Sequence, residues 1–464
     1  MKIIVLEINE VSKKIIDVYL SRNEAKGFVC LDQKINTYVS DLEEESIYPS
    51  QTWASMNTGK TFSSHKTKWF SEELNHDDIY WNQLAKKGKR VAIVGTLHSS
   101  PAKKFLKGNH NFTTFIPDFF SSDDETFPKK YQNFQRLNTA LTMGNRRTAS
   151  GSLLKEAIMS FLKKPSFDAW GLNNLLAIKQ IVKIIFSSLR VNKERLRMAQ
   201  FTLSASIFYN ALKSDKPDLA ILFSNHVASM MHRYLHAHFF EQNDTYSRKW
   251  INKYKNEVDF SLSLLDEWIK KFSDFAELND YKIIIVSSMG QKINKEIDKK
   301  HVENFQHDYV LRNPDMFLGK FFKKNKNNFK QLGVMAPQYA FEFSCAKEAR
   351  EAYSEISQAG TDVPLRYGHY TKNENYSDSI SGLYLNADLN GKIITVTVQL
   401  HKDKIRLLDK DYSYQDLGFE KVKVDTHHSG EHDKEGLIWS DFKFSNKEEI
   451  DYLDFSEIIK KIYA

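Results

Sequence analysis

Three short segments hold the groups whose types and spacing could do chemistry. The first is Tyr48-Pro49-Ser50-Gln51-Thr52, with Asn57-Thr58-Gly59 and His65 downstream. At a turn into a helix, exposed N–H groups and the positive helix end favour an anion and lower the cost of an alkoxide, so Thr52 could attack an anionic ester. The same hydroxyl could equally serve as a helix N-cap. The second segment is Asn225-His226-Val227-Ala228-Ser229-Met230-Met231-His232-Arg233-Tyr234. Its two imidazoles could face one pocket as acid, base or ligand, or could make ordinary structural hydrogen bonds. The third, Asp425-Thr426-His427-His428-Ser429-Gly430-Glu431-His432-Asp433-Lys434-Glu435-Gly436, is dense in groups able to bind a metal or a phosphate.

Segments this far apart must be brought together by the fold, and the apolar pattern indicates how. Residues 2–8 form an apolar run too brief for a helix, ending in the polar cluster Glu7, Asn9 and Glu10. Similar runs at 91–95, 218–224 and 282–287 each follow a helical stretch. Strands separated by helices make βαβ units, giving an α/β fold with a mostly parallel central sheet flanked by helices; ligands then sit at the C-terminal strand ends. That places Asn9, Asn225 and Ser288 along one rim. Residues 118–197 are basic and helical in period, and read as a helical insertion or cap, or as ordinary peripheral helices, on a core of residues 1–117 and 198–464. Residues 324–328 read as a polar surface loop. A small C-terminal β element is expected as a hairpin of residues 382–385 and 392–400 around Asn390-Gly391, and residues 454–463 as an amphipathic helix.

In order and spacing the segments resemble the phosphodiesterase/nucleotide pyrophosphatase branch of the alkaline phosphatase superfamily. Its pattern Tyr/Phe-Pro-Ser/Thr-x-Thr, then Thr-Gly, then His after five residues, falls in register with Thr52 at the nucleophile, with Lys66 where Gly is usual. Its Asn-x-x-Asp-x-x-x-His-Arg-Tyr/Phe element matches at Asn225, His232, Arg233 and Tyr234, with Ala228 in place of a metal-binding Asp. Its late Gly-x-His-x-x-x-Gly element matches at Gly430, His432 and Gly436. Two elements depart further: the metal-binding Asp after the first strand is Asn9, and Ser-Asp-His-Gly is Ser287-Ser288-Met289-Gly290. The resemblance runs through the whole chain.

The resemblance implies an alkaline-phosphatase-like fold and a phosphoester-processing hydrolase or phosphoryl transferase with Thr52 as nucleophile. Thr52, His232 and His432 are the candidate catalytic groups. Asn9, Asn225, His226, Arg233 and His428 are the candidate substrate contacts. One divalent metal, zinc or manganese, would be held by His232, His432 and Glu7, with Glu10, His226, His427, His428 and Asp433 nearby as further replacement ligands. The alternatives are a metal-free site of imidazoles and Arg233, a transferase acting on a phosphorylated sugar or glycan stacked on Trp53, Tyr234 or Trp439, and a binding protein without catalysis.

The net charge of +7 over 464 residues suits a small anionic or glycan-linked substrate. No nucleic-acid motif is present, and no window reads as a membrane span. The opening residues read as a strand rather than a leader, so the cytoplasm is the expected compartment. Cys30 and Cys345 show no metal or disulfide spacing. Nothing in the sequence sets an oligomeric state.

Overall fold

β1 (Lys2–Ile8) explains why a parallel sheet forms here. Ile3 to Ile8 are all buried, with Ile3 and Val5 facing one core cluster and Ile4, Leu6 and Ile8 the other. A strand covered on both faces has to be apolar almost throughout, as central strands of parallel sheets are. The structure, a computed structural model, describes all residues except 44–45, 109–110, 144–158, 160–165, 241–244, 296, 298–306, 322–328, 336, 360–381, 401 and 424–428.

In chain order the next strands are β2 (Gln33–Tyr38), β3 (Val91–Val94), β4 (Phe112–Ile116), β5 (Leu219–Ser224), β6 (Tyr281–Ser287), β7 (Gly290–Ile293), β8 (His307–Leu311) and β9 (Phe329–Leu332). They are followed by β10 (Gln338–Phe343), β11 (Leu383–Asn390), β12 (Ile393–Leu400), β13 (Lys404–Leu407), β14 (Lys410–Ser413), β15 (Phe419–Lys423), β16 (Gly430–Asp433), β17 (Glu435–Ser440) and β18 (Glu449–Asp451). Eight make the central sheet, in the order β18-β2-β17-β6-β1-β5-β3-β4. Only β17 runs against the rest, pairing antiparallel with β2 and β6. Helices Met198–Asp215, His226–His238 and Glu257–Asn279 cover the face of Ile4 and Leu6; Pro49–Thr58, Tyr80–Lys86 and Asp454–Tyr463 cover the face of Ile3 and Val5.

Helix Pro49–Thr58 shows in small how the motif residues serve the fold. Pro49 stands at its first position, where a missing N–H costs nothing, and Gly59 ends it at φ +69, donating its N–H to Ser55 O at 2.7 Å. A Cβ at Gly59 would also lie 2.7 Å from Ser456 Oγ.

Within residues 118–197, the described helices Gln132–Met143 and Leu175–Arg190 add Phe134, Leu137, Ala177 and Ile184 to the main core, and Leu175–Arg190 packs on helix Met198–Asp215 and on residues 193–197. The C-terminal β element is larger than a hairpin. β11-β12-β10-β9 form an antiparallel sheet that shares a separate core with helix Ala346–Ser357. In the hairpin Asn390 pairs with Ile393, so the turn is Gly391-Lys392, with Gly391 at φ +59, one residue later than expected. Among the described residues no helix is long and apolar enough to cross a membrane.

Candidate metal centre

β1, β5 and β6 end level with one another, Ile8 beside Ser224 and Glu7 beside Val286, which puts Asn9, Asn225 and Ser288 on the expected rim. Past β1 the backbone turns sharply. Glu10 takes φ +61, a left-handed conformation costing a non-glycine residue roughly 1–2 kcal/mol. This strain carries a carboxylate to a buried position where it is held on every side. Its Oε1 accepts from Asn9 Nδ2 at 2.7 Å, and its Oε2 accepts from Gln291 Nε2. The same Oε2 lies 2.8 Å from His232 Nε2 and 3.6 Å from His432 Nε2.

The two imidazoles arrive from different elements and are aimed in the same way. His232 sits on helix His226–His238 with Nδ1 3.1 Å from Gly430 O, and His432 sits on β16 with Nδ1 2.7 Å from Ile47 O. A carbonyl can only accept, so each Nδ1 carries a hydrogen and each Nε2 turns to Glu10. Backbone carbonyls commonly orient metal-binding histidines in this way. The ring centres are 5.3 Å apart, and the ligand atoms of Glu10, His232 and His432 all lie within 4.8 Å of one another. Among the described residues His432 Nε2 is buried without a hydrogen-bond partner.

The β7–β16 ribbon sets this geometry, pairing His432 with Gln291. A Cβ at Gly430 would lie 2.3 Å from Gln291 Oε1, so glycine allows the ribbon to close there. Ser429 fastens it to the histidine helix, donating its N–H to His232 O at 2.6 Å and accepting from His236 N at 2.7 Å.

Burial alone would raise the Glu10 carboxyl, but the charges of His232 and His432, with the hydrogen bonds from His232 and Gln291, bring it down to about 2. Burial lowers His232, and the Glu10 carboxylate more than reverses this, so its pKa rises. His432 is also lowered by burial, Glu10 offsets this only in part, and His232 pushes it further down. Glu10 is thus held as a carboxylate; its charge favours the protonated form of His232, while burial and His232 favour the neutral form of His432. A divalent cation fits the donor set, two imidazoles and one carboxylate, which recurs in catalytic zinc sites, and it would give His432 Nε2 a partner.

The other candidates are placed as follows. Asn9 and Asn225 meet, Asn9 Nδ2 donating to Asn225 Oδ1 at 2.8 Å, while Asn9 Oδ1 accepts from Trp53 Nε1 at 2.8 Å. Asn9 thus contacts Glu10 and supports it. Glu7 does not join the histidines. Strand parity sends it to the face of Ile3 and Val5, near Thr96 and Tyr80, where burial lifts its carboxyl to about 8. Glu10, three residues on and past the strand, is the acid that reaches them.

His226 is a core residue rather than a substrate contact. Ser224 Oγ and Ser261 O hold its two nitrogens at 2.5 and 3.1 Å, it stacks on Phe201, and burial lowers it to about 3. Arg233 bends back on its own helix, donating to Ser229 O at 2.7 Å and Oγ at 2.9 Å, because the residue after His232 lies about 100° around the helix. His65 accepts from Thr67 N at Nδ1 and donates from Nε2 to Ser55 Oγ, closing the end of the Thr52 helix. Asp433 Oδ1 accepts from Lys434 N at 2.9 Å. His427 and His428 lie outside the described residues.

Thr52 is fully buried. Its Oγ1 shares a 2.9 Å hydrogen bond with Ser288 Oγ and lies 3.4 Å from Met289 Sδ, so this state gives a substrate no path to it. Trp53, Tyr234 and Trp439 cannot stack on a sugar, because they pack inside against Phe223, Tyr254 and Phe28. Nothing in the sequence singles out Gln291: its type and place in a short strand carry no signal, and only the register opposite His432 reveals its role.

No family model and no curated protein matches this chain. Among solved structures it is similar to human ectonucleotide pyrophosphatase/phosphodiesterase 5, at 10% identity over 100% of this chain and 94% of that one, with TM-score 0.38. It is similar to phosphonoacetate hydrolase from Sinorhizobium meliloti in complex with phosphonoformate, at 11% identity over 98% and 94% of the two chains, with TM-score 0.39. It is also similar to a mutant of the alkaline phosphatase PafA, at 11% identity over 99% and 95%, with TM-score 0.40.

Proposed function

We propose that this chain is a phosphoester-processing enzyme built around one divalent cation, zinc or manganese, held by Glu10, His232 and His432. One observation carries the reading: a buried carboxylate faces two imidazoles whose outer nitrogens are tied to backbone carbonyls, and among the described residues His432 Nε2 has no hydrogen-bond partner. When bound, the cation would polarise the phosphoryl oxygens and offset the charge that develops on them.

The chain's own groups do the rest. Asn9 and Gln291 hold one Glu10 oxygen each. The start of helix Pro49–Thr58 follows directly on Ile47, whose carbonyl holds His432, so its positive end favours an anion beside the centre. In this reading Thr52 Oγ1 is the attacking group, and the Ser288-Met289 turn that covers it must first move aside. Attack forms a bond from Oγ1 to phosphorus and breaks the ester P–O bond. The Thr52 proton ends on the leaving alcohol, and water or a second alcohol then attacks phosphorus, breaking the Oγ1–P bond and returning a proton to Thr52.

The test is metal content by elemental analysis together with turnover of bis(p-nitrophenyl) phosphate. Near-stoichiometric zinc or manganese is expected, with turnover that Thr52→Ala lowers by about a hundredfold or more. Protein that takes up neither metal and turns over no ester would overturn the reading. Metal-dependent turnover that survives Thr52→Ala would keep the centre and transfer the attack to water.

A further inference from the structure

Helix Leu175–Arg190 is amphipathic with the wrong face outward. Leu175, Ile178, Val182, Phe186 and Leu189 recur at steps of three or four and are 67, 42, 46, 58 and 80% exposed. The face turned to the protein holds Ala177, Gln180, Ile184 and Ser188. This orientation is fixed by hydrogen bonds. Gln180 Nε2 donates to Leu264 O at 3.1 Å, while Gln180 Oε1 accepts from Thr202 Oγ1 at 3.0 Å and from Trp268 Nε1 at 2.9 Å. A surface helix ordinarily buries its apolar stripe, and an exposed row of large apolar side chains marks a surface built to be covered.

The charges beside the row indicate what covers it. Lys179, Lys183 and Arg190 are exposed on this helix, Lys193 follows it, and residues 175–190 include no acid. Lys183 leans to Glu267 at 3.7 Å. Basic side chains flanking an apolar row suit a bilayer with anionic headgroups, the lysine and arginine stems reaching up to the headgroups while the row enters the acyl boundary. A second copy fits less well, because a two-fold contact would set Lys179 and Arg190 against their own kind with no acid on the helix to answer them.

We propose that helix Leu175–Arg190 docks this protein on an anionic membrane surface, lying in the interface without crossing it. The test is co-sedimentation of the full chain with phosphatidylcholine vesicles containing about one third phosphatidylserine, and with phosphatidylcholine alone. Binding to the anionic vesicles is expected, weakening with salt and falling about tenfold or more in the Phe186→Ser/Leu189→Ser double variant. Lys179→Gln/Arg190→Gln is expected to lose about fivefold per charge, on the anionic vesicles only. Both variants should keep the unfolding midpoint and the ester turnover of wild type. No sedimentation with anionic vesicles, or sedimentation unchanged in the folded Phe186→Ser/Leu189→Ser variant, would overturn the proposal. So would a wild-type dimer that this variant splits, which would give the row to a second copy.

Discussion

Glu7 and Glu10 stand three residues apart, both buried, and their carboxyls shift in opposite directions. Around Glu7 burial dominates, the nearby Thr96 hydroxyl offsets little of it, and the group rises to about 8. Around Glu10 the same burial meets two imidazoles and the Gln291 amide, and the group falls to about 2. At neutral pH one is an uncharged acid in the core and the other a carboxylate at the rim. The difference teaches that depth does not make a buried acid functional; compensating cations and donors do. Glu7 obeys the strand's alternation and faces helix-packed core, whereas Glu10 lies past the strand end, where a left-handed turn re-aims it.

Breaking the Glu10 side of this contrast has the largest expected effect. Glu10→Gln should lower phosphodiester turnover about a thousandfold, the several kcal/mol that a bound dication contributes, with folding confirmed by circular dichroism. Turnover near wild type in that variant would remove Glu10 from the centre.

The Glu7 side is expected in stability rather than activity. Its folded-state carboxyl keeps a proton that the unfolded chain releases near 4.5, so its contribution to stability falls as pH rises from about 4.5 to about 8. Glu10 has the opposite sign, its contribution being lost as pH falls from about 4.5 towards 2. Glu7→Gln should therefore gain a few kcal/mol at pH 8 and little below pH 5, read from denaturant unfolding across pH. Equal gains at both ends would show that Glu7 is not held neutral.

Asn9→Ala takes one hydrogen bond from Glu10 without touching the three ligand atoms, and should weaken zinc affinity about tenfold to a hundredfold. Unchanged affinity would leave Asn9 a purely structural role. The smallest effect is expected at Ser288→Ala, which removes the Thr52 hydroxyl's 2.9 Å partner and should cost about 1 kcal/mol in unfolding.

Much of the positioning was legible because it depends on strong, local signals. The apolar runs become β1, β3, β5 and β6 with ends within a residue of the reading, and the rim follows from their parallel register. Asn57-Thr58-Gly59 ends a helix as such residues do. His232 and His432, each legible from its own motif, lie with ring centres 5.3 Å apart.

The misses share one physical cause, since side-chain direction at a strand end or on a helix is fixed by tertiary contacts. The sequence shows carboxylates at 7 and 10, but strand parity and a positive φ decide which one faces the histidines. His226 and Arg233 sit beside the right residues and point elsewhere. Trp53, Tyr234 and Trp439 look like sugar platforms in composition and are core in fact. The period of helix Leu175–Arg190 is plain in sequence, yet only the Gln180 hydrogen bonds show that its apolar row faces out.

The most direct test of a single rebuilt centre is calorimetric titration of zinc into the metal-free protein, run in buffers of different protonation enthalpy, for wild type and Glu10→Gln. One zinc per chain is expected, with proton release on binding because the ligands must be deprotonated, and no comparable site in the variant. Two zinc ions per chain, or binding that Glu10→Gln leaves intact, would contradict the account.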